Sequence, residues 1–485
     1  MPAGISERRA WVGLGVLTLP VILVSMDFSV LYLAMPTISR SLHPSATQEL
    51  WILDVYGFLI AGLLITMGNL GDRIGRRKIL LTGAAVFGAA SVAAAFAPSA
   101  AALIAARALM GVGGATLLPA SLALIANMFP RSDVRARAIG VWSAAFAGGA
   151  AIGPVVGGAL LHHYWWGVVF LINIPVLAAL FLLAPFVLPE YRMPATHPFD
   201  VLGVVLSLLG ILPLVYAVKS AASHGLSVGN VLLGAAGIAL LVVFFAHQKR
   251  APAPLVNLSL FANATFSVCI AVALVGMMAQ GGMSYLINVY LQSVQDFDVL
   301  NAALAGLPMA VTVAAFSIGA SRVAAWIGVR RALSLGVALA AAGNLGLLAL
   351  NVTSPLWVFL VLTAVTGIGY GLQFALVTDA VVGSVPPQHA GAASGISETS
   401  FELGTALGLA LFGSLATAVF LSRGDGRFAD SLGATLDLAD GGAGSALAAA
   451  AKEAFVDGMH AAALAGGLAL AILSVVVALV MRDRT

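Results

Sequence analysis

The sequence predicts an all-α integral membrane protein of fourteen spans, built as two six-helix halves with two further helices inserted between them. Three observations carry this. Of the 485 residues, 61% are hydrophobic and only 9% are charged, too few polar groups to cover the surface of a soluble chain of this length. The apolar residues gather into fourteen runs near the roughly 20 residues a bilayer crossing needs. A charged stretch between the second and third runs, GNLGDRIGRRKIL at 68–80, returns in weaker form between the tenth and eleventh as AAWIGVRRAL at 324–333.

The first run, residues 11–33, follows Arg8 and Arg9 as the core of a signal peptide would. It is too long for that, and no small-residue cleavage pattern follows, so it reads as a span. Residues 50–70, 79–97, 102–126, 138–160 and 166–188 complete a first set of six. Residues 201–218 and 228–245 come next, bounded by proline-bearing joints at 189–198 and 247–254. The remaining six are 266–291, 302–320, 332–350, 356–378, 392–421 and 458–481.

Two matches relate the sets. Ile327, Gly328, Arg330, Arg331 and Leu333 fall on Ile74, Gly75, Arg77, Lys78 and Leu80. Ala393, Gly395, Phe401, Gly404 and Gly408 fall on Ala138, Gly140, Phe146, Gly149 and Gly153 at almost the same offset. The expected bodies are therefore 1–190, an insert at 191–262, and 263–485, with a substrate path between the halves. Residues 422–457 form the one long outer segment, in which 445–455 suits a surface helix with Ser445 as its N-cap.

Lys and Arg concentrate in alternate loops, which places the 68–80 stretch and both termini in the cytoplasm. The net charge of +3 does not indicate nucleic-acid binding, because the basic residues serve as topogenic loops. Cys269 is the only cysteine, and His162 and His163 are adjacent, so neither a thiolate cluster nor a helical metal pair is expected. No GxxxxGK[ST] loop is present, which argues against a nucleotide-driven pump. No cofactor, metal or catalytic residue is expected, and the chain is not read as an enzyme.

Ionisable groups at membrane depth are costly and carry function by default. The acids are Asp27, Asp54, Asp379, Glu398 and Glu402, against the single base Arg107. Asp54, near Trp51, also reads as a solvated cap, and Asp379 as a cap of its helix. Glu398 and Glu402 stand one turn apart on a face where the repeat has Ser143 and Ala147. Burial and mutual repulsion favour a shared proton there, so the pair is expected to titrate as a unit, and a lipophilic cation can replace the proton. Phe28, Tyr32, Trp142, Phe146 and Phe401 can supply cation–π contacts or simply apolar lining. Arg107 is either a structural charge, paired for example with Asp27, or part of a proton relay. Asp72 can accept bonds from Arg73, from Arg131 or Arg135, or from a helix N-terminus. Arg76, Arg77 and Lys78 have the alternative reading of topogenic charge alone.

These motifs together resemble the major facilitator superfamily. Gly68, Asp72, Arg73, Gly75, Arg76, Arg77 and Lys78 match its cytoplasmic loop signature, and Arg107 in RALMGVGGA its fourth-helix arginine motif. GGAAIGPVVGG, with Gly149, Gly153, Pro154, Gly157 and Gly158, is similar to its fifth-helix antiporter motif. MDFSVLYLAMP at 26–36 resembles the first-helix motif of the fourteen-helix drug/proton antiporter branch. The resemblance implies a multidrug efflux pump in a bacterial cytoplasmic membrane, exporting hydrophobic, mainly cationic small molecules against protons by alternating access, and a monomer. Asp72 would then latch the halves, and the span-five glycines would give a bending helix at the half-to-half interface. The competing readings are a dedicated exporter of one antibiotic or metabolite, and a non-transporting membrane protein that interacts with lipid.

Overall fold

The computed structural model describes residues 6–44, 46–192, 200–224, 227–252, 254–256, 258–386, 390–424, 426–429, 431–439 and 444–481. The side chains of Phe28, Tyr32 and Pro154 lie outside those described. Among the described residues, fourteen helices are long and apolar enough to cross a membrane. In chain order they are α1 (Glu7–Leu42), α2 (Ala46–Ile74), α3 (Arg76–Ala95), α4 (Ala100–Met128), α5 (Ser132–His163) and α6 (Val168–Val187). The inserted pair is α7 (Val201–His224) and α8 (Val228–Gln248). The last six are α9 (Ala264–Val289), α10 (Leu307–Ile327), α11 (Val329–Gly346), α12 (Leu356–Gly383), α13 (Ala390–Arg423) and α14 (Ser445–Val480). The chain is a multi-pass membrane protein.

The repeat is visible in the backbone. Gly75 ends α2 at φ +116° and Gly328 ends α10 at φ +88°, a region where side chains are strained, so both charged stretches turn on a glycine in the same place. Buried apolar side chains form two large clusters, one from Ala10 to Leu188 and one dominated by residues from Leu255 to Met481. Helix pairing also repeats. Gly149, Gly153 and Gly157 of α5 meet Ile22 and Ser25, Met26 and Ser29, and Val30 of α1. Gly404 and Gly408 of α13 meet Leu274, Met277 and Met278 of α9 in the same manner. Without a hydrophobic drive between helices in lipid, such close backbone approach is the main attraction. Gly149, Gly153 and Gly157 therefore pack α5 against α1 within its own half, while the same helix also lines the interface between halves, where Gly140 meets Ser317 of α10; a Cβ on Gly148 or Gly158 would meet nothing among the described residues.

Several boundaries differ from the reading of apolar runs, because polar residues continue a helix once neighbours or caps support it. The residues from Ser445 are not a separate surface helix but the start of the 36-residue α14. Gly444, not Ser445, is its N-cap. Lys452 of this extension holds the Asp296 carboxylate at 2.7 Å, and Asp457 meets Arg423 at 3.1 Å. The tenth run divides at Gly306 into a short helix, Val299–Ala305, and α10.

The insert is tied at one end by Asp200, which accepts from His247 Nε2 at 2.8 Å, Gln248 Nε2 at 2.7 Å and the Gly203 N–H at 2.8 Å. Burial alone would raise this carboxyl, but the three hydrogen bonds outweigh it and hold Asp200 below the usual range.

Candidate functional site

Arg107 lies in α4, where Gly111 and Gly114 follow it by four and seven residues. A Cβ on Gly111 would stand 2.9 Å from the Tyr56 carbonyl oxygen, and one on Gly114 3.3 Å from the Tyr56 hydroxyl. These absent side chains let α2 close in and bring the Tyr56 ring 4.5 Å from the guanidinium. Arg107 Nε donates to the Ile52 carbonyl at 3.2 Å, and its Nη1 forms an ion pair with Asp27 of α1. Both side chains are almost fully buried. An unpaired base at membrane depth would cost at least ~2.5–3.5 kcal/mol, so the pair ties α1, α2 and α4 together. Asp54 lies half-buried more than two turns into α2, which corrects its reading as a cap.

On the other half, Glu398 is buried and its Oε1 has no hydrogen-bond partner among the described residues. Glu402, one turn on, is half-buried and within electrostatic reach of Glu398 and of Tyr56. Tyr56 thus lies within reach of both the Asp27–Arg107 pair and Glu402 of the other half. Phe401 stands between Glu398 and Glu402 in sequence and begins an aromatic ladder. Phe401 meets Phe374 of α12 at 4.8 Å, and Phe374 meets Phe146 at 5.7 Å and Trp142 at 6.2 Å on α5. Trp142 is fully buried and donates from Nε1 to Ser121 Oγ at 2.9 Å. The sequence reading named three of these rings and missed Phe374, which sits in an apolar run without motif or charge.

The 68–80 stretch closes one end of the bundle, referred to as the charged end. Arg76 is 1% exposed and donates from Nε to Asp72 Oδ1 at 2.9 Å and from Nη1 to the Ala123 carbonyl at 2.9 Å. Arg76 is therefore a partner of Asp72 and not merely a topogenic charge, while Arg135 pairs with Asp379. A Cβ on Gly391 would lie 2.6 Å from Asp72 Oδ1, so the carboxylate sits at the first turn of α13, where the helix dipole favours an anion. Arg135 of α5 pairs with Asp379 of α12 at 3.1 Å, which corrects the reading of Asp379 as a cap. Arg73 is half-buried and Lys78 exposed.

Sequence reasoning also missed Glu190 and Tyr191, in what was expected to be a plain joint. Glu190 Oε1 accepts the Arg77 N–H at 3.2 Å, and Arg77 Nη1 donates to the Pro185 and Leu188 carbonyls. The Tyr191 carbonyl accepts the Arg76 N–H at 3.0 Å, and its ring lies 5.1 Å from the Arg76 guanidinium. An acid directly after a span and close to a basic loop was the available signal.

Toward the charged end burial is continuous, through 113–126 of α4 and 390–401 of α13. Past Glu402 only alternate residues of α13 are buried, and past Gly149 only one face of α5. The halves are closed over the charged end and splayed toward the other. A bundle with this pseudo-repeat, an arginine bridge in the first half and a single closed end has the plan of an alternating-access transporter.

The family model described as Major Facilitator Superfamily matches residues 17–409. The chain belongs to the Major Facilitator Superfamily. It is accordingly a transport protein rather than an enzyme. Among its relatives, the multidrug efflux pump LfrA of Mycolicibacterium smegmatis is 39% identical over 94% of this chain and 92% of its own. The methyl viologen resistance protein SmvA of Salmonella typhimurium is 33% identical over 96% and 97%. The human organic anion transporter MFSD10 has the same fold, with a TM-score of 0.66 and 16% identity over 98% of this chain and 100% of that one. Other Major Facilitator proteins thus share this architecture at sequence identities too low to speak about substrate.

Proposed function

We propose that this Major Facilitator protein exports lipophilic, mainly cationic drugs in exchange for protons across a bacterial cytoplasmic membrane, working as a monomer. The charged end and both termini face the cytoplasm in this reading, because the basic loops gather there. The bodies 1–190 and 263–485 rock about the central carboxylates, with Asp72, held by Arg76 and set against Gly391 of α13, as the latch that closes the inner end. The bundle, closed at the charged end, is then in its outward-open state.

One observation carries the proposal: the Glu398 carboxyl is buried, its Oε1 lacks a partner among the described residues, and it stands a turn from a second carboxylate. Such a group needs a proton or an external cation to satisfy it. Phe401 and the rings beyond it offer π faces to that cation. Asp27 is already neutralised by Arg107, so its part is to hold the field and the helix geometry while Glu398 and Glu402 exchange the charge. The multidrug efflux name of one relative supports export of drugs as the task. Inward proton flow supplies about 2.3 kcal/mol per 100 mV and about 1.4 kcal/mol per pH unit.

The test is efflux of cationic, neutral and anionic compounds from reconstituted vesicles, with and without an imposed pH gradient. Gradient-dependent efflux of several unrelated cations is expected. Efflux of one compound alone would assign a dedicated exporter, and efflux indifferent to the gradient would remove proton exchange.

A further inference from the structure

On the α2–α13 side the halves meet along a seam that α7 enters away from the charged end. At the charged end Gly68 touches the Gly391 carbonyl directly. One turn on, a Cβ on Gly395 would lie 2.8 Å from the Leu64 carbonyl oxygen. Another turn on, Thr399 Oγ1 donates to the Ala61 carbonyl at 3.5 Å. Beyond that point a third helix enters the seam. Ile211 and Val215 of α7 form one buried cluster with Phe58 and Ala61 of α2 and Ala406 of α13, with Leu403 against it. Leu208 and Leu212 of α7 pack over Gly62, and Tyr216 stacks on Trp51 at 5.6 Å. The opposite end of α7 is held by Asp200 to α8, and Gln248 Oε1 accepts the Val256 N–H of the segment leading into α9. The inserted pair does not pack extensively on the other seam, α5–α10, where Gly140 meets Ser317 but Gly148 meets nothing.

We propose that α7 is a spacer lodged in the α2–α13 seam: its Ile211 and Val215 contacts stabilise the state open opposite the charged end, and closing that end requires these contacts to give way. The inference rests on the alternating-access reading above. It assigns the insert a part in setting the balance between the two states. The anchored end around Asp200 acts as a pivot while the far half of α7 leaves the seam. Two branched side chains whose burial exists in one state only bias the equilibrium by their differential packing, however small the structural change elsewhere.

The test uses the full-length protein in nanodiscs, with Cys269→Ala to remove the native thiol and Ala126→Cys as reporter. Ala126 is buried with Val382 and Ala390 between the halves at the charged end, so maleimide reacts there only when that end opens. Ile211→Ala with Val215→Ala is expected to speed labelling by about fivefold or more, as loss of the spacer shifts the population toward the charged-end-open state. Each single alanine should act in the same direction, which keeps the test available if the double variant folds poorly. Ile211→Leu with Val215→Ile, which keeps the bulk, should label near the parent rate. Asp72→Asn serves as the independent control and should speed labelling without touching α7. Faster labelling in Asp72→Asn but an unchanged rate in every alanine variant would overturn the spacer. An unchanged rate in Asp72→Asn as well would overturn the two-state reading itself, and the spacer with it.

Discussion

At the scale of single residues, the molecule separates two kinds of buried charge. Asp27 and Arg107 neutralise each other and draw three helices together. Removing one partner leaves the other uncompensated, so Asp27→Asn is expected to lower stability by about 3–5 kcal/mol. Unfolding in detergent measures this, and a wild-type midpoint would contradict the pairing as a structural tie. Asp72 belongs to a second kind: Arg76 of its own half holds the charge, and the carboxylate stands against Gly391 in the first turn of α13, where the proposed function places a latch. Asp72→Asn keeps the basic residues that set topology, so it should insert normally and lose most transport. Wild-type efflux by a well-expressed variant would remove the latch. The type and depth of these residues were legible in the sequence, and so was the Asp27–Arg107 pairing as one candidate. The Asp72–Arg76 and Arg135–Asp379 partners were not, because several arginines lie within reach of each acid and only the packed backbone selects among them.

At the scale of elements, the span-five glycines show how one motif supports two readings. Periodicity identified a helix with a small-residue face, but not which neighbour that face meets. In the fold it meets α1, and the repeat does the same with α9 and α13. Two adjacent glycines then give opposite expectations. Gly149→Ala would press a methyl against Ser25 Oγ and the Ile22 backbone, so it should cost about 1–3 kcal/mol. Gly148→Ala enters open space and should gain up to about 1 kcal/mol in helix propensity. Thermal unfolding of the two variants compares them directly, and equal effects would contradict the α1–α5 contact. The same limit applies to Ser445. A polar residue ahead of an alanine-rich stretch looks like a cap, yet the helix starts at Gly444 and continues into the membrane.

At the scale of the whole molecule, the fourteen spans could be read from the hydropathy runs. The splay of the halves and the place of α7 could not, since apolar runs record that a helix is buried or lipid-facing but not against what. On the proposed function, protons and a cationic drug compete for the Glu398–Glu402 pair. The most direct measurement is calorimetric titration of a monovalent cationic ligand in two buffers of different ionisation enthalpy near pH 7, which counts protons released on binding. The account predicts release of about one proton per cation in the native protein, and its loss when Glu398→Gln and Glu402→Gln are combined. Binding with no proton release, or the same release from the double variant, would contradict it.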